Sequence, residues 1–332
     1  MIGDNIKKYR ILKNMSLRDL AKELSISQTA VAKYEKNDLI PDGEKLLLLS
    51  KVFNCSIDDL LKKEHSNREI SIFYKKKDTL KGRKLQALKQ IINDRINDYL
   101  DVLELNEIKP TKLKIYEVNT LLDLESVVTQ FRDDYHLGIY SPLINLIETL
   151  ENIGINIITI NDVNDDYSGF EGVSEYVNEY PFICILNNKN NYLKRLTIAH
   201  ELAHLILKVS NNLDEEDVCE EFARLLLLPK ETLQNKLGFT RKKVSFEEYE
   251  ILQNEFEVSI KEIIKTIYKY NINNKNQYKL NLIYFNKYIL EKEISKHIEI
   301  PNRYKLLVLK LKVEGIITES KYNHLIYLNS NV

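Results

Sequence analysis

The segment Leu196 to Leu207 reads Leu-Thr-Ile-Ala-His-Glu-Leu-Ala-His-Leu-Ile-Leu. His200 and His204 are four residues apart, so on a helix both imidazoles leave one face and can grip one metal ion. Glu201 is one step round, placed to polarise a metal-bound water. Apolar neighbours on both flanks predict a buried helix that keeps bulk water from the metal. His65, His136, His297 and His324 have no such partner spacing and read as ordinary histidines. A catalytic zinc needs a third protein ligand and an open position. The next acidic segment offers Glu215, Glu216, Glu220 and Glu221, and Cys219 among them could ligate as a thiolate. Spacing alone leaves these open, with Glu216 and Glu220 one helical turn apart on the same face.

The second group with chemistry in it lies near the start. Leu17 to Glu35 has the pattern of a helix-turn-helix. Ser16 is an N-cap with Asp19 three residues on. Ala21 is small where two helices approach, and Ile26 and Val31 sit where they would bury side chains against each other. The helix that begins at Ser27 exposes Gln28, Thr29, Ala32 and Lys33. Gln can pair with adenine, Lys with guanine acceptors, and the Thr methyl with a thymine methyl. Arg18, Lys36 and Asn37 flank this face and could hold phosphates.

These elements need a scaffold, and length and charge bound it. The chain has 332 residues, enough for two or three domains. Its net charge of −1 taken alone argues against a nucleic-acid partner. The sum hides a split. Residues 1–100 hold 21 Lys+Arg and 14 Asp+Glu, a net of +7, which leaves −8 for the remainder. Residues 1–64 carry only +2 of that, so the basic stretch around Lys75-Lys76-Lys77 supplies most of it. Such a linker adds affinity for a polyanion without reading sequence. The start lacks an apolar leader and no apolar run approaches membrane-spanning length, which predicts a cytoplasmic protein with no membrane contact. Cys55, Cys184 and Cys219 are odd in number and far apart, a poor disulfide framework.

The pattern predicts a mainly α chain with a small α+β domain. Its expected parts are an N-terminal helix-turn-helix bundle over 1–64, a basic linker and amphipathic helix over 65–116, a domain with a short sheet over 117–235, and a helical C-terminal region over 236–332. Ile70, Ile72 and Tyr74 alternate as a short strand would. Leu85, Leu88, Ile92, Ile96, Tyr99 and Leu103 mark the apolar face of the long helix. Further helices are expected over Leu122 to Tyr135, from Ser141-Pro142 onward, over Leu193 to Lys208, and over Glu215 to Leu228. Strands are expected over Ile155 to Ile160, Phe170 to Val177 and Phe182 to Leu186, and Asn211-Asn212 suits a turn. Val244 to Tyr268 and Arg303 to Leu328 are amphipathic, as a support or dimerisation region would be.

Residues Ile6 to Leu61 resemble the XRE (Cro/CI-type) helix-turn-helix family through Arg10, Leu20-Ala21, Ser27, Val31, Glu35, Pro41 and Ile57 to Leu61. The resemblance implies operator DNA as partner, a homodimer, and an internal Arg10–Glu35 ion pair. That family often has Gly in the turn where this chain has Ser25. Residues Val118 to Pro229 resemble the ImmA/IrrE metallopeptidases. The carriers are Gly138, Pro142, Gly154-Ile155, Gly169-Phe170, Arg195-Leu196-Thr197, the His-Glu-x-x-His segment, and Glu216 followed by Phe222-Ala223 and Leu225 to Pro229. Cys219 stands where that family usually has Ala.

This second resemblance implies a zincin-like fold with Zn2+ held by His200, His204 and Glu216, and Glu201 as general base. It implies a protein substrate, with a repressor-like protein or the chain itself as the candidates. The substrate strand is expected along an open edge near Phe182 to Asn187. The two motifs together imply a transcriptional regulator with a fused zinc hydrolase. The alternative is a non-proteolytic repressor or antitoxin whose metal domain is structural or senses a partner.

Overall fold

The structure, a computed structural model, describes residues 2–13, 15–55, 57–61, 82–161, 167, 169–187, 190–288 and 298–330. The basic run Lys75-Lys76-Lys77 and the expected strand at Ile70 to Tyr74 lie outside them. The chain divides into two compact units, one containing Met1–Asp101 and the other Val102–Asp162 and Glu171–Val332. The described residues are mainly helical, with two small sheets among them.

The first unit contains α1 (Ile2–Leu12), α2 (Leu17–Glu23), α3 (Gln28–Glu35), α4 (Gly43–Phe53), α5 (Ile57–Leu61) and most of α6 (Gly82–Leu105). Three of these helices start on side-chain caps. Ser16 and Asp19 form a reciprocal capping box on α2, Ser27 caps α3 and Asp42 caps α4. Each satisfies backbone N–H groups that a helix start leaves without a partner. Ile6, Leu20, Leu24, Val31, Leu49, Phe53 and Leu60 close into one core. Gly3 permits a close approach of α1 to α3, since a Cβ there would lie 2.1 Å from the Tyr34 carbonyl oxygen. Between α2 and α3 the chain turns through Ser25 at φ 52°. That left-handed conformation accounts for glycine in this turn elsewhere, because an L side chain is strained there.

The second unit follows in the order β1 (Tyr116–Val118), α7 (Asp123–Asp134), α8 (Leu146–Asn152), β2 (Asn156–Ile160), β3 (Gly172–Val177), β4 (Tyr180–Leu186), α9 (Asn191–Ile206), β5 (Leu207–Val209) and α10 (Glu215–Leu227). It continues with α11 (Lys230–Leu237), α12 (Phe246–Phe256), α13 (Ile260–Lys269), α14 (Lys275–Tyr288), α15 (Arg303–Val313) and α16 (Glu319–Ser330). One apolar core runs from Leu113 to Phe285 and so includes α12 and α13. Among the described residues no helix is long and apolar enough to cross a membrane.

The three-stranded sheet has the order β2–β4–β3, with β2 parallel and β3 antiparallel to β4. The expected open edge near Phe182 to Asn187 is therefore wrong. Those residues form the central strand, both of whose edges are paired, and β3 is an edge strand instead. The apolar run of β4 fits its place, since a central strand covered on both faces carries no alternation.

A second difference concerns Ser141-Pro142. The chain there is irregular, and helix α8 begins only at Leu146. The carbonyl oxygens of Gly138 and Ser141 accept from Arg132, and those of Leu143 and Ile144 accept from Arg195. These carbonyls are drawn to two fully buried guanidinium groups instead of serving a local helix.

Helix α9 also ends earlier than its pattern suggests. Leu207–Val209 leaves the helix to pair parallel with Tyr116–Val118. The turn at Asn211-Asn212 then returns the chain to Asp214, whose side chain caps α10.

Candidate functional site

Helices α9 and α10 pack together and carry the metal-ligating residue types. His200 and His204 project from one face of α9, with ring centroids 4.9 Å apart. Their Nε2 atoms are 3.2 Å apart. Glu216, in the first turn of α10, reaches both rings: its Oε2 is 3.2 Å from His200 Nε2 and its Oε1 3.5 Å from His204 Nε2. Three donors held tetrahedrally around one zinc at about 2.0–2.1 Å would be separated by about 3.3–3.4 Å. The three side chains thus stand at the spacing a zinc-class ion requires, and the donor set of two imidazoles and a carboxylate suits such an ion.

Electrostatics favour the same use. Burial and the neighbouring His204 hold the His200 imidazole below its ordinary pKa, although Glu216 opposes this. The neutral imidazole is the form that ligates metal.

The other glutamates of α10 have other partners. Glu220 accepts from Arg224 at 2.8 Å, and Glu221 accepts from Arg224 and Lys269. Arg224 is buried and also bonds Glu262 at 2.9 Å. Glu215 faces the opposite side of the His204 ring, 3.0 Å from Nδ1.

Glu201 is 7% exposed and lies against β3. Ser174 Oγ donates to Glu201 Oε2 at 2.7 Å. Two residues earlier, a Cβ on Gly172 would fall 3.0 Å from Glu201 Cγ and 3.1 Å from its Oε1. Strand β3 therefore shapes the pocket of this carboxylate twice, once by a hydroxyl and once by a missing side chain. Sequence reasoning missed Ser174 and Gly172. Their only local signal is that they share a face of β3, and nothing in the chain order points that face at α9. Of the nearby tyrosines, Tyr176 donates to the Leu205 carbonyl and Tyr180 to the Ile108 carbonyl.

In the first unit, Arg18, Gln28, Thr29, Lys33 and Lys36 are exposed and Ala32 is half-buried. Val31 and Tyr34 turn the opposite side of α3 into the core. Asn37 differs from its neighbours. It adopts φ 62°, and its Oδ1 accepts from Gly3 N at 2.8 Å, so its amide oxygen serves the fold. Arg10 pairs bidentately with Glu35, at 2.5 Å through Nε and 3.0 Å through Nη2, and also donates to the Met15 carbonyl.

The helix-turn-helix family profile matches residues 6–60, and that of the IrrE N-terminal-like domain matches residues 150–268. The chain is 42% identical over 55 residues to the HTH-type transcriptional regulator DicA of Escherichia coli (strain K12), covering 17% of this chain and 41% of that protein. It is 36% identical over 62 residues to the HTH-type transcriptional activator BcrR of Enterococcus faecalis, covering 19% and 30%. It is 34% identical over 73 residues to Repressor protein C2 of Salmonella phage P22, covering 21% and 33%. The chain thus spans less than half the length of each of these relatives. No solved structure matches it at the same stringency. The chain joins an XRE-type helix-turn-helix domain, matched over residues 6–60, to a peptidase-family IrrE N-terminal-like domain, matched over residues 150–268.

Proposed function

We propose that this protein is a DNA-binding transcriptional regulator whose second unit is a zinc-dependent peptidase, so that cleavage of a repressor-like protein, or of itself, controls gene expression. The observation that carries the enzymatic half is the triangle of His200, His204 and Glu216 donors with buried Glu201 beside it. A bound zinc would supply Lewis-acid activation of water and of the substrate carbonyl.

The chain's own residues do the rest. His200, His204 and Glu216 fix the position of the ion. Glu201 accepts the proton of the attacking water and delivers it to the leaving amine. Ser174 donates to one Glu201 oxygen and so orients the carboxylate. The edge strand β3, next to α9, is the strand a substrate peptide would pair with.

The regulatory half rests on the exposed face of α3. Gln28, Thr29, Ala32 and Lys33 would meet base edges, with Arg18, Lys36 and the remaining amide of Asn37 on phosphates. Two copies would bind two half-sites about one helical turn apart, which makes the functional form a homodimer.

Glu201→Gln tests the enzymatic half. The variant should hold zinc as the wild type does and lose cleavage, read by metal analysis and by mass spectrometry of candidate repressor proteins incubated with and without chelator. Equal cleavage by the variant would remove Glu201 from the mechanism. Zinc retention with no cleavage by either form would favour a non-proteolytic repressor with a structural or partner-sensing metal domain.

A further inference from the structure

The face of the His204 ring that turns away from His200 meets a second group of donors. Its Nδ1 lies 3.0 Å from Glu215 Oε1 and 3.4 Å from Cys219 Sγ. All three atoms lie within 4.8 Å of one another. Glu215 and Cys219 are one turn apart on α10, so one side of that helix carries both towards α9. Cys219 is fully buried, while the Glu215 side chain is 45% exposed and links the group to solvent.

These spacings suit a metal. Zinc–sulfur bonds of about 2.3 Å and zinc–nitrogen bonds of about 2.0–2.1 Å place tetrahedral neighbours about 3.6 Å apart for N and S, and about 3.3 Å apart for N and O. A sulfur, a ring nitrogen and a carboxylate favour a zinc-class divalent ion over magnesium or calcium, which take oxygen ligands.

We propose that His204 Nδ1, Cys219 and Glu215 form a second, thiolate-containing site for such an ion, joined through the His204 ring to the set on Nε2. The donors are independent of the peptidase reading, and only the shared ring rests on it. Binding forms metal bonds to Sγ, Nδ1 and Oε1. It releases the thiol proton of Cys219 and the ring N–H proton of His204 to solvent, and no electrons are transferred. Water completes the shell on the exposed Glu215 side.

Cobalt(II) titration of the full-length protein, stripped of metal and kept free of oxygen, tests this. The wild type should take up two equivalents and show a thiolate-to-cobalt band in the near ultraviolet. Cys219→Ala, which fits the same space, should lose that band and one equivalent while keeping the visible bands of the other set. His200→Ala should keep the near-ultraviolet band. Absence of a thiolate band from the wild type, whether it takes up one equivalent or two, overturns the proposal, and His204 Nδ1 is then a hydrogen-bond donor to Glu215 alone. A band that survives Cys219→Ala overturns it as well. If Cys219→Ala does not fold by circular dichroism, the wild-type spectrum and Glu215→Ala, expected to lose the second equivalent, decide it. A thiolate band with no His200-dependent equivalent would support this site and count against the peptidase metal set.

Discussion

At the scale of single residues, the site is defined by which acid faces which cation. Four glutamates of α10 lie within two turns, and their roles separate only through partners. Glu216 reaches both imidazoles, whereas Glu220 and Glu221 are drawn to Arg224. Glu201 is defined equally by β3. Gly172→Ala puts a methyl 2.9 Å from Thr197 Cγ2 as well as against Glu201, a collision between strand and helix. The expected cost is about 1–3 kcal/mol of stability, as for other overpacked sites. Metal content should be unchanged, because no ligand is touched. Thermal denaturation together with metal analysis checks both halves of that statement.

At the scale of elements, two connections carry measurable strain or charge. The α2–α3 turn holds Ser25 at φ 52°. Ser25→Gly relieves that strain, although glycine also gains freedom in the unfolded chain. A net stabilisation of about 0.5–1 kcal/mol is expected from the left-handed penalty of about 1–2 kcal/mol less the entropy term, read as a rise in the first unit's melting temperature. Loss of stability would mean that the Ser25 hydroxyl has a role of its own.

The second connection ties the segment before α15 to helix α9. The buried Glu299 carboxylate pairs with Arg195 and accepts from the Ile147 amide. Lys194 donates to the Glu299 carbonyl at 2.9 Å. Removing one member of a buried pair strands the other, so Glu299→Ala should cost about 3–5 kcal/mol. A denaturant midpoint within error of the wild type would show that the carbonyls around Arg195 suffice.

At the scale of the whole molecule, charge is divided along the chain. The sum of −1 conceals +7 in residues 1–100. Most of that excess is in the basic stretch and not in the helix-turn-helix. Non-specific duplex binding should therefore weaken steeply with salt. Replacing Lys75, Lys76 and Lys77 together by Ala should flatten the dependence of log affinity on log salt by up to about 0.9 per lysine that meets a phosphate. Fluorescence anisotropy over a salt series measures this. An unchanged slope would place those lysines off the DNA.

The sequence by itself determined the parts whose logic is local. A histidine pair at helical spacing, the caps at Ser16 and Ser27, and the apolar sides of α3 and α6 depend on residues a turn or two apart, and the periods of helix and strand expose them. The general-base candidate Glu201 was legible for the same reason. Only the tertiary structure decided what depends on residues distant in the chain. Arg195 and Arg132 take the carbonyls that would have begun a helix at Pro142. Pairing on both sides makes β4 a central strand and puts β2 and β3 at the edges. Ser174, 27 positions from Glu201 in the chain, reaches its carboxylate across the α9–β3 contact. Buried charges and strand edges are satisfied by whichever group the fold brings near, and the order of residues does not encode that neighbour.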